Sequence, residues 1–137
     1  MPHQIIEYSA NLDQKLDIAG LVLALHQCAA TLEPLPLAGL RTRAYPTRDF
    51  AVADRHPDNA FIAVYLRIAE GRPLAVRQAL GEALFQCLTE YTAELFALTP
   101  IALSYELQEI DPITRWNQNN LKEHLQSRAE HTGADPL

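Results

Sequence analysis

Two hydrophobic periods alternate along this chain, and the switches between them outline its elements. Pro2–Tyr8 is short and β-prone and begins almost at the first residue, so the chain terminus is expected to be pinned in a sheet. Ser9-Ala10-Asn11 supplies a turn. A helix is predicted next, because Leu12, Leu16, Ala19, Leu23, His26 and Ala30 recur at gaps of four and three, which is one helical face. Pro34 and Pro36 end it, since proline lacks the amide donor and clashes with the preceding turn. Leu40–Tyr45 reads as a strand with Arg41 and Arg43 on one side and Leu40, Thr42 and Ala44 on the other. Pro46–Asn59 is a polar loop that holds a short extended piece at Phe50–Ala53.

Phe61–Ile68 is the strongest strand in the chain. Glu70-Gly71-Arg72-Pro73 turns into a second helix, with Pro73 suited to its first position. Leu80, Leu84, Cys87, Tyr91, Leu95 and Leu98 form its stripe, and Thr99-Pro100 stops it. In Ile101–Glu109 the residues Ile101, Leu103, Tyr105 and Leu107 face one way and Ser104, Glu106 and Gln108 the other.

The order strand–helix–strand therefore occurs twice, at an offset of roughly 60 residues. Each βαβ unit predicts two parallel strands. The expected fold is α+β, a two-layer α/β sandwich: a tandem βαβ pseudo-repeat forms one four-stranded mixed sheet with both helices on one face. The units span about 2–45 and 60–110 within a single domain over 1–128. That domain ends in a short helix at Leu121–Arg128, and 129–137 reads as a flexible tail. The second sheet face is left bare, so partner subunits are expected to cover it.

Composition changes this picture little. At 137 residues and 48% hydrophobic, the chain suits one soluble domain with a small core. A net charge of −6 argues against nucleic acid and anionic membranes as partners. No apolar run reaches the length of a membrane span, and the first residues lack a signal-peptide pattern, so a cytoplasmic location is expected. Cys28 and Cys87 sit at apolar helical positions and read as buried thiols. Lys15 and Lys122 are the only lysines; the other nine of eleven basic residues are arginines, whose planar fork suits carboxylates.

Candidate chemistry begins at Pro2. Methionine before a small residue is usually removed, which leaves a secondary amine on proline. Burial and nearby cations both disfavour its protonated form, so such an amine can act as a base near neutral pH. Arg41 and Arg43 share a strand face, fit for carboxylate recognition or for a salt-bridge lattice between subunits. Arg72 lies just before a helix, where a guanidinium and free amides together suit an anion. Arg77, one turn on, reads as a helix-surface residue. The five histidines form no metal pattern, and His26 reads as a core residue. Nucleophile-elbow, P-loop and dinucleotide motifs are lacking.

Five colinear segments together resemble the 5-carboxymethyl-2-hydroxymuconate isomerase family of the tautomerase superfamily. Met1-Pro2-His3 is similar to its start. Pro36-Leu37-Ala38-Gly39-Leu40-Arg41-Thr42-Arg43 is similar to its PLAGIRSR-like segment, and Gly71-Arg72 with Arg77-Gln78 to its GRxxxxRQ helix start. Leu103-Ser104-Tyr105-Glu106 and Gln118-Asn119-Asn120 resemble its LSFE and QNN segments, so the match covers most of residues 1–125. The resemblance implies a homotrimer with no cofactor and no metal, and active sites near subunit interfaces. It implies that Pro2 shuttles a proton between carbons of an unsaturated 2-hydroxy or 2-oxo di- or tricarboxylic acid, in aromatic-compound breakdown by the homoprotocatechuate pathway. Arg41 and Arg72, with Arg43, would hold carboxylates and stabilise dienolate charge. Two other readings keep the fold: hydration or dehalogenation of another unsaturated acid, and a trimeric binding protein without turnover.

Overall fold

Alternation in the first residues becomes strand β1 (His3–Ser9), which buries Gln4, Ile6 and Tyr8 and turns His3, Ile5 and Glu7 to the other face. The computed structural model describes residues 2–132. A 3-10 turn at Ala10–Leu12 leads to helix α1 (Ile18–Ala30), whose start is capped by Asp17 accepting from the Gly20 amide at 3.0 Å.

The face that α1 buries is Leu21, Leu25 and Ala29, not the predicted stripe, and Leu23 is 57% exposed. Leu12 and Leu16 precede the helix, so a phase counted from them runs out of register with it. Within IAGLVLALHQCAA almost every phase is apolar, and the pattern could not correct the error. His26 is half-buried at this helix's edge, and Cys28 and Cys87 are half-buried rather than buried. The thiols lie along the contact between α1 and the helix of the second unit: Cys28 Sγ faces Ala83 O at 3.9 Å and Cys87 Sγ faces Ala24 O at 3.7 Å. Burial, and then Cys28, push the Cys87 thiol up to about 11.

Strand β2 (Arg41–Thr47) follows the proline loop, and β3 (Ala60–Ala69) follows the segment 48–59. No strand forms at Phe50–Ala53. Ala53 and Arg55 adopt left-handed backbone, φ 53° and 68°, and the Asn59 side chain holds the coil by donating to Val52 O and Asp54 Oδ1 at 3.0 and 2.8 Å. A Cβ at positive φ is strained. Arg55→Gly is therefore expected to raise stability by roughly 0.5–1 kcal/mol, read as a higher thermal midpoint; an unchanged or lower midpoint would show that the arginine sits there without strain.

The second predicted helix divides into α2 (Leu74–Tyr91) and α3 (Ala93–Leu98), with Pro73 as the residue before α2 rather than its first. The break falls at buried Thr92, whose amide and hydroxyl both donate to Leu88 O, at 3.1 and 2.7 Å, and fix the turn between the two helices. Leu80, Leu84, Leu88 and Leu95 are buried, whereas Leu98 is 86% exposed. Strand β4 (Ile101–Ile110) alternates as predicted. Helix α4 (Leu121–Thr132) runs past the expected end at Arg128, so the first residues of the predicted tail are helical; 133–137 lie outside the described residues.

The sheet order is β2-β1-β3-β4, with β1 parallel to β2, β3 parallel to β4, and β1 antiparallel to β3. The fold is thus α+β, two βαβ units joined side by side in one mixed sheet. Ile6, Ile62 and Val64 pack on Leu21, Leu25 and Leu88, while Leu66 and Ile68 pack on Ala29, Leu80 and Leu84, so α1 and α2 share one sheet face. Burying these apolar side chains supplies the main driving force for the fold, about 1.5–3 kcal/mol for each large one. On the opposite face the register lines up Arg41, His3, Arg67 and Gln108 in one row and Arg43, Ile5, Tyr65 and Glu106 in the next. No helix of the described residues is long and apolar enough to cross a membrane.

Candidate active site

Pro2 is buried at the head of β1, and its carbonyl accepts the Arg41 amide at 3.1 Å. Parallel pairing then sets His3 beside Arg41, and antiparallel pairing sets it beside Arg67. Arg41 Nη1 approaches His3 Nε2 at 3.2 Å, and Arg43 Nη1 approaches Nδ1 at 3.3 Å. Neutral imidazole has one lone pair and one N–H. Only one of these guanidinium groups can donate to it at a time, and a protonated ring could accept from neither. Burial, then the charges of Arg41, Arg43 and Arg67, hold the His3 pKa below its ordinary value. His3 is therefore a neutral spacer within a cluster of cations, one residue from Pro2.

Beside this cluster is a groove of about 400 Å³. His3, Arg41 and Arg67 line it from the sheet, and Arg115 and Trp116 line it from the segment after β4. Arg67 and Arg115 were not singled out in the sequence. For Arg67 a signal existed: it has the phase of Phe61, Ala63 and Tyr65, away from buried Ile62, Val64 and Leu66. What was missing was the strand pairing that places it beside His3. Arg115 follows a 3-10 turn at Pro112–Thr114, where no periodicity operates.

Pro2, Arg41 and Arg43 are thus brought together around His3. Arg72 is differently engaged. Its Nε and Nη2 donate to Pro34 O at 3.2 and 2.6 Å, and its Nη1 donates to Ala69 O at 3.0 Å. These bonds strap the turn after β3 to the loop before β2, and they use three of the five guanidinium donors. Arg77 supports the same turn: Nε donates to Arg72 O at 3.1 Å, and Nη1 lies 3.6 Å from the Glu109 carboxylate. No group of three or more His, Cys, Asp or Glu side chains suited to a metal occurs among the described residues.

Behind the cationic face lies a buried polar chain. Gln4 is fully buried; its Nε2 donates to Leu25 O at 3.2 Å and to Thr42 Oγ1 at 3.1 Å, and its Oε1 accepts the Tyr105 hydroxyl at 2.8 Å. Thr42 Oγ1 also contacts His26 Nδ1 at 2.8 Å. Burial keeps the Tyr105 hydroxyl well above its ordinary pKa, so it remains a donor. This chain links the strands that carry His3, Arg41 and Arg43.

The sequence profile of the 5-carboxymethyl-2-hydroxymuconate isomerase family matches residues 2–125. A 5-carboxymethyl-2-hydroxymuconate Delta-isomerase of Escherichia coli is 36% identical over 121 residues, 88% of this chain and 96% of that protein. The crystal structure of a 5-carboxymethyl-2-hydroxymuconate isomerase from Deinococcus radiodurans R1 superposes with a TM-score of 0.83 at 34% identity, over 90% of this chain and 92% of the other. A fused 4-OT symmetric trimer shares the fold at a TM-score of 0.64 and 11% identity, over 85% of this chain and 93% of the other. The chain therefore belongs to the 5-carboxymethyl-2-hydroxymuconate isomerase family, within the tautomerase superfamily, and is an isomerase.

Proposed function

We propose that this isomerase moves a proton between carbons of an unsaturated 2-hydroxy or 2-oxo acid bearing several carboxylates, of the 5-carboxymethyl-2-hydroxymuconate kind. The base is the Pro2 nitrogen, free once Met1 is removed. It takes a proton from a carbon conjugated with the carbonyl and returns it to another carbon, so no electron leaves the substrate. Arg41 stabilises the dienolate oxygen that develops between these steps, and Arg43 and Arg72 hold carboxylates. Arg72 offers for this the two donors that its strap leaves over.

The observation that carries this reading is the His3 ring held between the Arg41 and Arg43 guanidinium groups, one residue from Pro2. Cations that disfavour a charged imidazole also disfavour a charged prolyl amine beside it. They reverse the field locally in a chain of net charge −6, which a polyanionic substrate requires. On the same reading residues 1–128 act as one domain in a cytoplasmic homotrimer, whose neighbouring copies meet the open sheet face around active sites that lie near the subunit interfaces.

Intact-mass analysis paired with turnover of 5-carboxymethyl-2-hydroxymuconate and 2-hydroxymuconate tests this. Loss of Met1 and catalysed isomerisation are expected. Arg41→Ala should lower kcat/KM by about 10–100-fold, the equivalent of losing charge-assisted contacts worth 1–3 kcal/mol. Arg72→Ala should raise KM and also lower the thermal midpoint, because the strap is lost with the ligand contact. Retained Met1 with no turnover would overturn the mechanism, and full activity in Arg41→Ala would remove that residue from it.

A further inference from the structure

We propose that Arg67 and Arg115 form a carboxylate subsite in the groove walled by Trp116, next to Arg41, which selects substrates carrying an acid arm beyond the reacting unit. The identification of the ligand as substrate rests on the isomerase reading above; the anion site itself does not.

Three guanidinium groups share one groove of about 400 Å³, large enough for a carboxylate arm and its water. Among the described residues, neither Arg67 nor Arg115 forms an ion pair, whereas Arg77 pairs with Glu109. The sheet row offers none: the neighbours of Arg67 across the strands are His3 and Gln108. Glu106, one row away, makes no ion pair with it. Asp111, at the end of β4, instead accepts the Ile113 amide at 2.9 Å.

Gathering cations without a paired counter-charge costs free energy through their mutual repulsion. A carboxylate would remove that cost, and arginine's fork fits it in bidentate fashion. The groove also has an apolar wall. Trp116 is 87% exposed beside it, which suits the flat carbon skeleton of an unsaturated acid. Arg67 is exposed and Arg115 half-buried, and the side chains that bond the His3 ring beside Pro2 are Arg41 and Arg43, so the contribution of Arg67 and Arg115 is assigned to the arm and not to the reacting carbons.

Trp116 is the only tryptophan in the chain and reports directly on the groove. Its fluorescence is to be titrated with propane-1,2,3-tricarboxylate and, at matched ionic strength, with butyrate. The tricarboxylate should give a saturable change and butyrate almost none. Arg67→Gln and Arg115→Gln should each weaken tricarboxylate binding by about tenfold, with partial recovery in Arg67→Lys, on proteins that keep the wild-type elution volume and circular dichroism. In turnover, the same variants should raise KM by about tenfold for 5-carboxymethyl-2-hydroxymuconate and leave KM for 2-hydroxymuconate nearly unchanged. Identical titrations of wild type and the double glutamine variant, or equal KM changes for both acids, would overturn the subsite. Wild-type protein that binds the tricarboxylate but turns over neither acid would refute the proposed substrate class and leave the anion groove standing.

Discussion

Pro2→Ala is expected to lower kcat and kcat/KM together by about 10²-fold, and any variant that keeps Met1, such as Pro2→Leu, by up to about 10⁴-fold, the range that a positioned base supplies. The two variants separate two roles. Alanine at position 2 still yields a free amine after methionine removal, so its loss measures proline's fixed ring and secondary nitrogen. Retained methionine converts the nitrogen to an amide with no lone pair to offer, and its loss measures the base itself. Equal falls in kcat and kcat/KM would place the lost interaction in the transition state. The pH profile adds a check on cause. The base works only when neutral, so activity falls as pH drops through its pKa. On the proposed mechanism the arginines beside His3 disfavour a charged Pro2 amine, so removing one by Arg41→Ala should shift the acid limb to higher pH. Full activity in Pro2→Ala, or an acid limb that ignores Arg41, would end the proposed mechanism.

Much of this could be read before any coordinates, for identifiable reasons. The strands β3 and β4 came out within a residue or two because one sheet face packs on helices and the other does not, which imposes a period of two on Ala60–Ala69 and Ile101–Ile110. Doubling of the βαβ unit made the mixed sheet predictable. The phase of α1 was not legible from its apolar stripe, although Asp17 before Ile18 carried a cap signal that would have set it. The break at Thr92 left no mark on the apolar stripe, and the coil at 48–59 is held by side-chain bonds from Asn59 and from Asn11, nearly fifty residues away in sequence. At the site, Arg41 and Arg43 were legible because strand alternation puts them on one face. His3 as the neutral wedge, and Arg67 beside it, depend on which strands become neighbours. Arg72 as a strap depends on the Pro34 carbonyl, some forty residues away in sequence. Local pattern names the residue types of such a site; long-range pairing decides which of them meet.

Gln4→Leu is expected to destabilise the protein by about 2–4 kcal/mol, a fall in thermal midpoint on the order of 10 °C, with activity lost in parallel. Leucine nearly matches the volume, so little of this comes from packing. The cost arises from the partners left behind. Tyr105's hydroxyl is held in the interior and loses its acceptor; Leu25's carbonyl, inside α1, loses only a second donor, and Thr42 loses one donor. An unsatisfied buried polar group costs about 1–3 kcal/mol, more than the bond contributes when made. A second change distinguishes this cause from a packing defect. In Gln4→Leu with Tyr105→Phe one orphan disappears, so the double variant should be more stable than the two single losses predict by about 1–2 kcal/mol. Strict additivity would mean that the two side chains contribute independently. The chain Tyr105–Gln4–Thr42 crosses from β4 to β2 beneath the strand that carries Pro2 and His3. If it holds those strands in register, the single variant loses kcat/KM well below its melting temperature, and the double variant recovers part of it. Loss of stability with kcat/KM intact at low temperature would confine the network to holding the core together.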